Sequence, residues 1–251
     1  MHVLIVGDSH TGPLARGHAL LVEEGRLPPG IDWRFRALGS GRRMNAAFWK
    51  PRGAHAVMTD ATYRQRVGKL PPDNPRPDVI GLSMPLWSGR VLRSLLEARM
   101  APWDVDTGPT FAARRISHAL FHRLIDADME YTLGLALFLR GTGVPVFIVE
   151  PPRAFRAYRL VAEVGATPVL ALQQAIRTYQ ARVIATAGLP VVWMPGDALD
   201  EAGFMRTEHA HEDPTDSHHI NAAFGARQLL AGVPLMRALA AGEAAPVAAN
   251  G

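Results

Sequence analysis

Two short stretches at opposite ends of the chain carry the side-chain types that covalent acyl chemistry needs. Val6-Gly7-Asp8-Ser9-His10-Thr11-Gly12 directly follows the apolar run Val3-Leu4-Ile5, and Asp213-Pro214-Thr215-Asp216-Ser217-His218-His219-Ile220-Asn221 lies near the C-terminus. A serine hydroxyl is a poor nucleophile until a base takes its proton, and that base must be oriented by a third group. Asp216 and His219 are three residues apart, immediately before a helix-like segment. In a turn or first helical turn this spacing brings a carboxylate to imidazole Nδ1 and leaves Nε2 to face Ser9. The chain order Ser…Asp…His is immaterial, because such triads are defined by geometry.

Ser9 has blander readings too. A serine after a buried strand can cap the next helix through its side-chain oxygen, and Asp8 can do the same. A helix N-terminus also attracts anions. No GxxxxGK[ST] occurs, no GxGxxG follows the first strand, and Thr11 stands where a GxSxG elbow has its last glycine.

The elements that must position these residues alternate in type. Strands are expected at His2–Val6, Ile31–Leu38, His55–Thr59, Asp78–Ser83, Val144–Val149 and Leu189–Met194. Helices are expected at Pro13–Glu24, Ser117–Leu139, Thr167–Ala187 and Asn221–Leu230. The stretch from Met84 to Arg115, with Trp87, Trp103, several arginines and Pro-Gly breakers, reads as a helix with a long loop. Alternating strands and helices imply a mostly parallel sheet covered on both faces, an α/β fold. Ligands of such sheets bind at the carboxyl ends of the strands. Ser9, the Gly39-Ser40-Gly41 loop, Ser83–Trp87 and Glu150–Pro152 all follow strand ends and are expected to gather there. A single domain over residues 1–239 is expected, with a small Ala-rich flexible tail over 240–251.

Composition narrows the classes. With 251 residues, 48% of them apolar, the chain can bury a full core. It has no cysteine, which excludes disulfides, thiolate metal sites and a cysteine nucleophile. There is no secretory leader pattern and no run of 18 apolar residues, so the expectation is a cytoplasmic protein with no membrane partner. The net charge of +4, from 27 Lys+Arg against 23 Asp+Glu, comes without a basic block. No nucleic-acid partner is therefore expected, and the excess favours anionic substrates in a general way. Apolar helical faces serve a core and a subunit contact equally well, which leaves a homo-oligomer open.

At these residues the chain resembles the GDSL-type, or SGNH, hydrolase superfamily. Gly7-Asp8-Ser9 is similar to its first signature, and Asp216-Ser217-His218-His219-Ile220-Asn221 to its closing DxxH motif. Val149-Glu150-Pro151-Pro152 is similar to the strand-plus-prolines segment that precedes the family's C-terminal half. The resemblance implies a flavodoxin-like three-layer α/β/α sandwich with about five strands. It implies Ser9 as nucleophile, His219 as general base and Asp216 as its orienting partner. The Ser9 backbone N–H would be one oxyanion donor, and Gly39 or Gly41 would supply another, with Gly39 nearer the strand end.

One family motif is missing. A GxND normally ends the third strand and its Asn donates to the oxyanion, whereas this chain has Gly81-Leu82-Ser83-Met84-Pro85-Leu86-Trp87-Ser88. Loss of one such donor costs about 2.7–4 kcal/mol. Trp87, Ser88, a backbone N–H or Asn45 are the substitutes the sequence offers. His10 is a further substrate-contact candidate, and Trp87 with Trp103 could form an aromatic platform or simply pack.

The resulting expectation is a serine esterase acting on a small acetyl-like ester, carried for instance by a carbohydrate, through an acyl-serine intermediate and without a cofactor. Activity should rise with pH as His219 loses its proton. An acyltransferase and a non-catalytic sugar- or acyl-binding relative are the alternatives. A metal-dependent hydrolase is a further one, because His209, His211, Glu212, Asp213, Asp216, His218 and His219 crowd into one loop. Their spacing matches no HExxH pattern, and no metal is expected.

Overall fold

The computed structural model describes residues 1–243. In chain order the strands are β1 (His2–Gly7), β2 (Asp32–Ala37), β3 (Trp49–Arg52), β4 (His55–Met58), β5 (Lys69–Leu70), β6 (Val79–Leu82), β7 (Met100–Pro102), β8 (Arg114–Ile116), β9 (Val146–Val149) and β10 (Val191–Val192). The helices are α1 (Thr11–Glu23), α2 (Ala61–Arg66), α3 (Gly89–Glu97), α4 (His118–Gly141), α5 (Arg159–Val164), α6 (Ala166–Thr186) and α7 (Ala222–Ala240).

Five strands form the central sheet in the order β10-β9-β6-β1-β2, and every pairing in it is parallel. Counted along the chain this is the flavodoxin-like order, with its switch point between β1 and β6. Strand periodicity explains why both faces are covered. Val3 and Ile5 point to one side and pack with Leu14 of α1 and Leu229, Val233 and Met236 of α7. Leu4 and Val6 point to the other side and pack with Leu92 and Leu95 of α3, Ile125 and Met129 of α4, and Leu172 and Ile176 of α6. The result is a three-layer α/β/α sandwich.

Helices α1 and α7 cross closely because glycine stands at both contacts. A Cβ on Gly17 would lie 2.3 Å from the backbone N of Ala226, and one on Gly225 would lie 2.4 Å from the Pro13 carbonyl oxygen. This crossing ties the segment after Ser9 to the segment after His219.

Several elements differ from the sequence expectation. His55–Met58 belongs to a separate antiparallel sheet, β3-β4-β5, whose Trp49 donates its indole N–H to the Tyr131 carbonyl of α4 at 2.9 Å. The Met84–Arg115 stretch holds α3 and the first strand of a two-stranded parallel ribbon, β7-β8. The ribbon is short, with Met100-Ala101-Pro102 in β7 and Arg114-Arg115-Ile116 in β8, so neither strand shows an apolar–polar alternation. Helix α7 runs to Ala240, well past Leu230, although Pro234 lies inside it. Val233, Leu235 and Met236 pack against the sheet there, and that burial outweighs the local breaker. The expected tail is described only to Glu243, and residues 244–251 lie outside the described residues. Among the described residues, no helix is long and apolar enough to cross a membrane.

Candidate active site

Strand β1 ends at Gly7, where the chain passes Ser83 and Thr11 with no room to spare. A Cβ on Gly7 would lie 2.0 Å from the Ser83 Oγ, and the Ser83 and Thr11 hydroxyls themselves hydrogen-bond at 2.9 Å. Asp8 then turns inward. Its Oδ1 accepts the His10 backbone N–H at 3.0 Å, and its carbonyl accepts that of Thr11 at 3.1 Å. Helix α1 starts without a side-chain cap at its N-terminal boundary, His10. The turn is therefore held by Asp8, and the half-buried Ser9 is left to line a cavity at the carboxyl edge of the sheet.

That cavity has a volume of about 490 Å³. Each wall comes from a different strand end: Ser9 and His10 after β1, Ser40 and Gly41 after β2, Trp87 and Ser88 after β6, and Pro152 to Ala154 after β9. Of the two candidate glycines, Gly41 lines the cavity and Gly39 does not. Gly39 has φ +127° and faces the Tyr63 and Arg66 side chains instead. Trp103 is 71% exposed, and Asn45 is also exposed; neither lines the cavity.

Gly41 is fixed by long-range contacts. Arg90 of α3 donates through Nη1 to the Gly41 carbonyl. The same guanidinium is gripped by Asp128 of α4, Nε to Oδ1 at 2.6 Å and Nη2 to Oδ2 at 3.0 Å. It also lies over the Trp87 ring, 4.9 Å from the centroid. On the other side of Gly41, a Cβ would come 3.0 Å from the Asp8 Oδ2. Trp87, on the loop after β6, thus stacks on the arginine that anchors the Gly41 loop.

The C-terminal loop forms a tight Asp–His unit. Asp216 Oδ2 lies 2.7 Å from His219 Nδ1, and Oδ1 accepts the backbone N–H of His219 at 3.0 Å and of His218 at 3.2 Å. Burial by itself would raise the Asp216 carboxyl, but the His219 ring and these two N–H groups outweigh it and hold it at about 2. Beneath the loop, Ile220 packs with Phe155, Met205 and Phe224, while Phe204 belongs to the main core.

The two halves meet at His10. Its ring centroid is 4.8 Å from that of His219 and 6.1 Å from those of His218 and Trp87. Burial, then His219 and His218, keep the His10 imidazole well below the ordinary histidine range, so it is neutral. His218 lines the cavity; His219 sits behind it with Nε2 buried and without a hydrogen-bond partner. Ser9 Oγ and His219 Nε2 are therefore not hydrogen-bonded in this structure. Catalytic hydrogen bonds commonly tighten only once substrate is bound.

The seven-residue His/Asp/Glu loop does not converge as a whole. His209 packs on Phe224 at a centroid distance of 4.6 Å, and His211 accepts the Asp213 backbone N–H. Only Asp216, His218 and His219 bring ligand atoms within 4.8 Å of one another among the described residues.

Sequence reasoning passed over Arg90, Asp128, Arg42, Arg93 and Arg153. Arg90 pairs with a residue on another helix, which no local pattern reveals. Arg153 directly follows Pro151-Pro152 at a strand end, a position that could have marked it.

No protein-family model and no curated protein matches the sequence. Solved structures similar to it include a GDSL-like lipase from Bacteroides thetaiotaomicron, 12% identical over 94% of this chain and 88% of that one, with a TM-score of 0.47. An acetyl xylan esterase is 12% identical over 93% of this chain and 100% of that one, with a TM-score of 0.48. The periplasmic domain of a lipopolysaccharide acetyltransferase from Salmonella ser. Paratyphi A is 11% identical over 94% of this chain and 83% of that one, with a TM-score of 0.47.

Proposed function

We propose that this chain is a divergent SGNH-type serine hydrolase that cleaves a small acyl ester, acetyl-like in size, through an acyl-enzyme on Ser9. The observation that carries the reading is the Asp216–His219 unit. It holds a charged carboxylate on Nδ1 and leaves a buried Nε2 with no partner, and its ring packs against His10, the residue that follows the cavity-lining Ser9.

In this reading, His219 Nε2 takes the Ser9 proton as Oγ attacks the ester carbonyl, and Asp216 stabilises the imidazolium that forms. The Ser9 backbone N–H at the start of α1 and the Gly41 N–H are the oxyanion donors. The N-terminal end of α1 adds its favourable dipole. Collapse of the tetrahedral intermediate expels the alcohol, protonated by His219, and leaves acyl-Ser9. Water deprotonated by His219 then releases the acid and restores the serine. A hydroxyl acceptor in place of that water would make the same site an acyltransferase.

A metal-assisted reading draws on the Asp216, His218 and His219 grouping. The 2.7 Å separation of Asp216 Oδ2 and His219 Nδ1 is that of a shared proton. Two ligands of one tetrahedral zinc would stand about 3.3 Å apart. The geometry therefore favours the dyad.

The test is labelling with a fluorophosphonate, with the modified residue mapped by mass spectrometry. Label on Ser9 that disappears in both Ser9→Ala and His219→Ala is the expected result. A folded native protein that takes no label, while binding a stoichiometric divalent metal, would replace this reading with the metal-assisted one.

A further inference from the structure

The cavity beside Ser9 is lined by four arginines, Arg42, Arg90, Arg93 and Arg153, and by no carboxylate among the described residues. Arg90 is neutralised by Asp128. The other three appear in none of the arginine ion pairs of the described chain. Arg153 is the most costly of them. Its Nη1 donates to the neutral Oε1 of Gln174, and its Nε is buried without any partner. Burial draws its guanidinium below the usual arginine range, although it stays charged at any ordinary pH. A partly buried cation without a counter-charge carries a desolvation cost that a bound anion would offset.

The chain does not let the loop relax away from that cost. Gln173, itself buried and lining the cavity, accepts the Ala154 backbone N–H at 3.0 Å and so fixes the segment that carries Arg153. His218 on the opposite wall is pushed below the ordinary histidine range by burial, then by His219, so it adds no charge of its own. The positive charge facing the cavity is thus arginine charge, whose planar fork suits carboxylate and phosphate oxygens alike.

We propose that the cavity binds an anionic substrate, with Arg42, Arg93 and Arg153 receiving a carboxylate or phosphate group carried by the ester. Only the position of the ester bond rests on the serine-hydrolase reading; the anion site stands on the cavity itself. The missing charge comes with the substrate, so a neutral ester of the same size fills the space and leaves Arg153 unpaired.

The test begins with calorimetric titration of the Ser9→Ala protein with inorganic phosphate, succinate and, as the neutral counterpart, dimethyl succinate. Binding of at least one anion but not of the diester is expected. Arg153→Gln and the exposed Arg93→Gln, each in that background, should weaken it about tenfold or more. Arg123→Gln, a charge-matched change on the exposed side of α4, should leave it unchanged. Phosphate binding alone points to an ester that carries a phosphate and succinate binding alone to one that carries a carboxylate. The proposal is overturned if neither anion binds more tightly than about 10 mM, or if Arg93→Gln and Arg153→Gln both behave like Arg123→Gln. Turnover of mono-4-nitrophenyl succinate and 4-nitrophenyl butyrate by the native protein separates the two readings. Anion binding without turnover of either ester removes the hydrolase and keeps the anion site, and turnover of both without anion binding does the reverse.

Discussion

Asp8 immediately precedes the cavity serine, and Asp216 orients the histidine packed against the residue that follows it, yet the two carboxyls titrate in opposite directions. Asp8 is buried and accepts one backbone N–H. Burial raises it to about 7, despite the opposing pull of the His10 N–H and of Arg90, whose charge is already engaged by Asp128. Asp216 is also pushed upward by burial, but it receives the His219 ring and two N–H groups and ends at about 2. Asp8 is almost fully buried and receives one N–H, whereas Asp216 is only partly buried and receives the ring and two N–H groups, so depth and donors both separate the two. A carboxyl that is half protonated near neutrality serves as a turn support. One that is ionised throughout can stabilise an imidazolium.

The sharpest way to break this contrast is Asp216→Asn. The amide keeps the shape and removes the charge, and turnover of an activated ester should fall by about 10⁴-fold. Asp8→Asn in the same assay should retain most of the activity, because the amide oxygen still accepts the His10 N–H. Equal losses in the two variants would erase the distinction drawn above.

Arg90→Met should cost about 3–5 kcal/mol in urea unfolding, because it strands the buried Asp128 charge and frees the Gly41 carbonyl. It also removes a positive charge that lowers Asp8, so that carboxyl should move further up. A loss below about 1 kcal/mol would mean that the pair contributes little net stability.

Asp8 should also leave a signature in the pH dependence of stability. Its folded value of about 7 lies above the unfolded one, so the folded chain keeps a proton that the unfolded chain has released. Stability contributed by this group is therefore full below about pH 4 and declines to about pH 7, by at most about 4 kcal/mol. His10, depressed by burial, pulls the other way as pH falls below its unfolded value. The difference between native and Asp8→Asn curves isolates the aspartate: the variant should gain stability on the native chain as pH rises from 5 to 7. Parallel curves would rule Asp8 out as the source.

Asp216 gives the smallest effect and the opposite sign. Its depressed folded value means that stability is present above the unfolded value and lost as pH falls through about 2. The loss has an upper bound of about 2 kcal/mol and is closer to 1 once solvent screening at this partly exposed group is counted. Acid unfolding of Asp216→Asn should lack this component.

Much of the framework was legible because it is encoded locally. Val3 to Val6 carries a buried strand in its own composition, and its alternate residues do face opposite helix layers. The Asp216–His219 spacing needs only one turn to bring carboxylate and ring together, and it does so. The small sheets were hard to read because Trp49–Arg52 and Arg114–Ile116 are polar and only partly buried, so period-2 alternation is absent. Gly39 was favoured over Gly41 on nearness to the strand end, but a positive φ turns it away and brings Gly41 to the cavity.

The sequence by itself determined the strand and helix alternation, the turn after β1 that carries Ser9 and the Asp–His unit before α7, since each depends on residues within a few positions of one another. Tertiary structure alone decided which carboxyl is charged, that Arg90 is neutralised by Asp128 from another helix, and that Arg42, Arg93 and Arg153 share one cavity with no acid facing them. The physical reason is that protonation and ion pairing follow from burial and from the donors that surround a group. Those donors arrive from segments that only folding brings together.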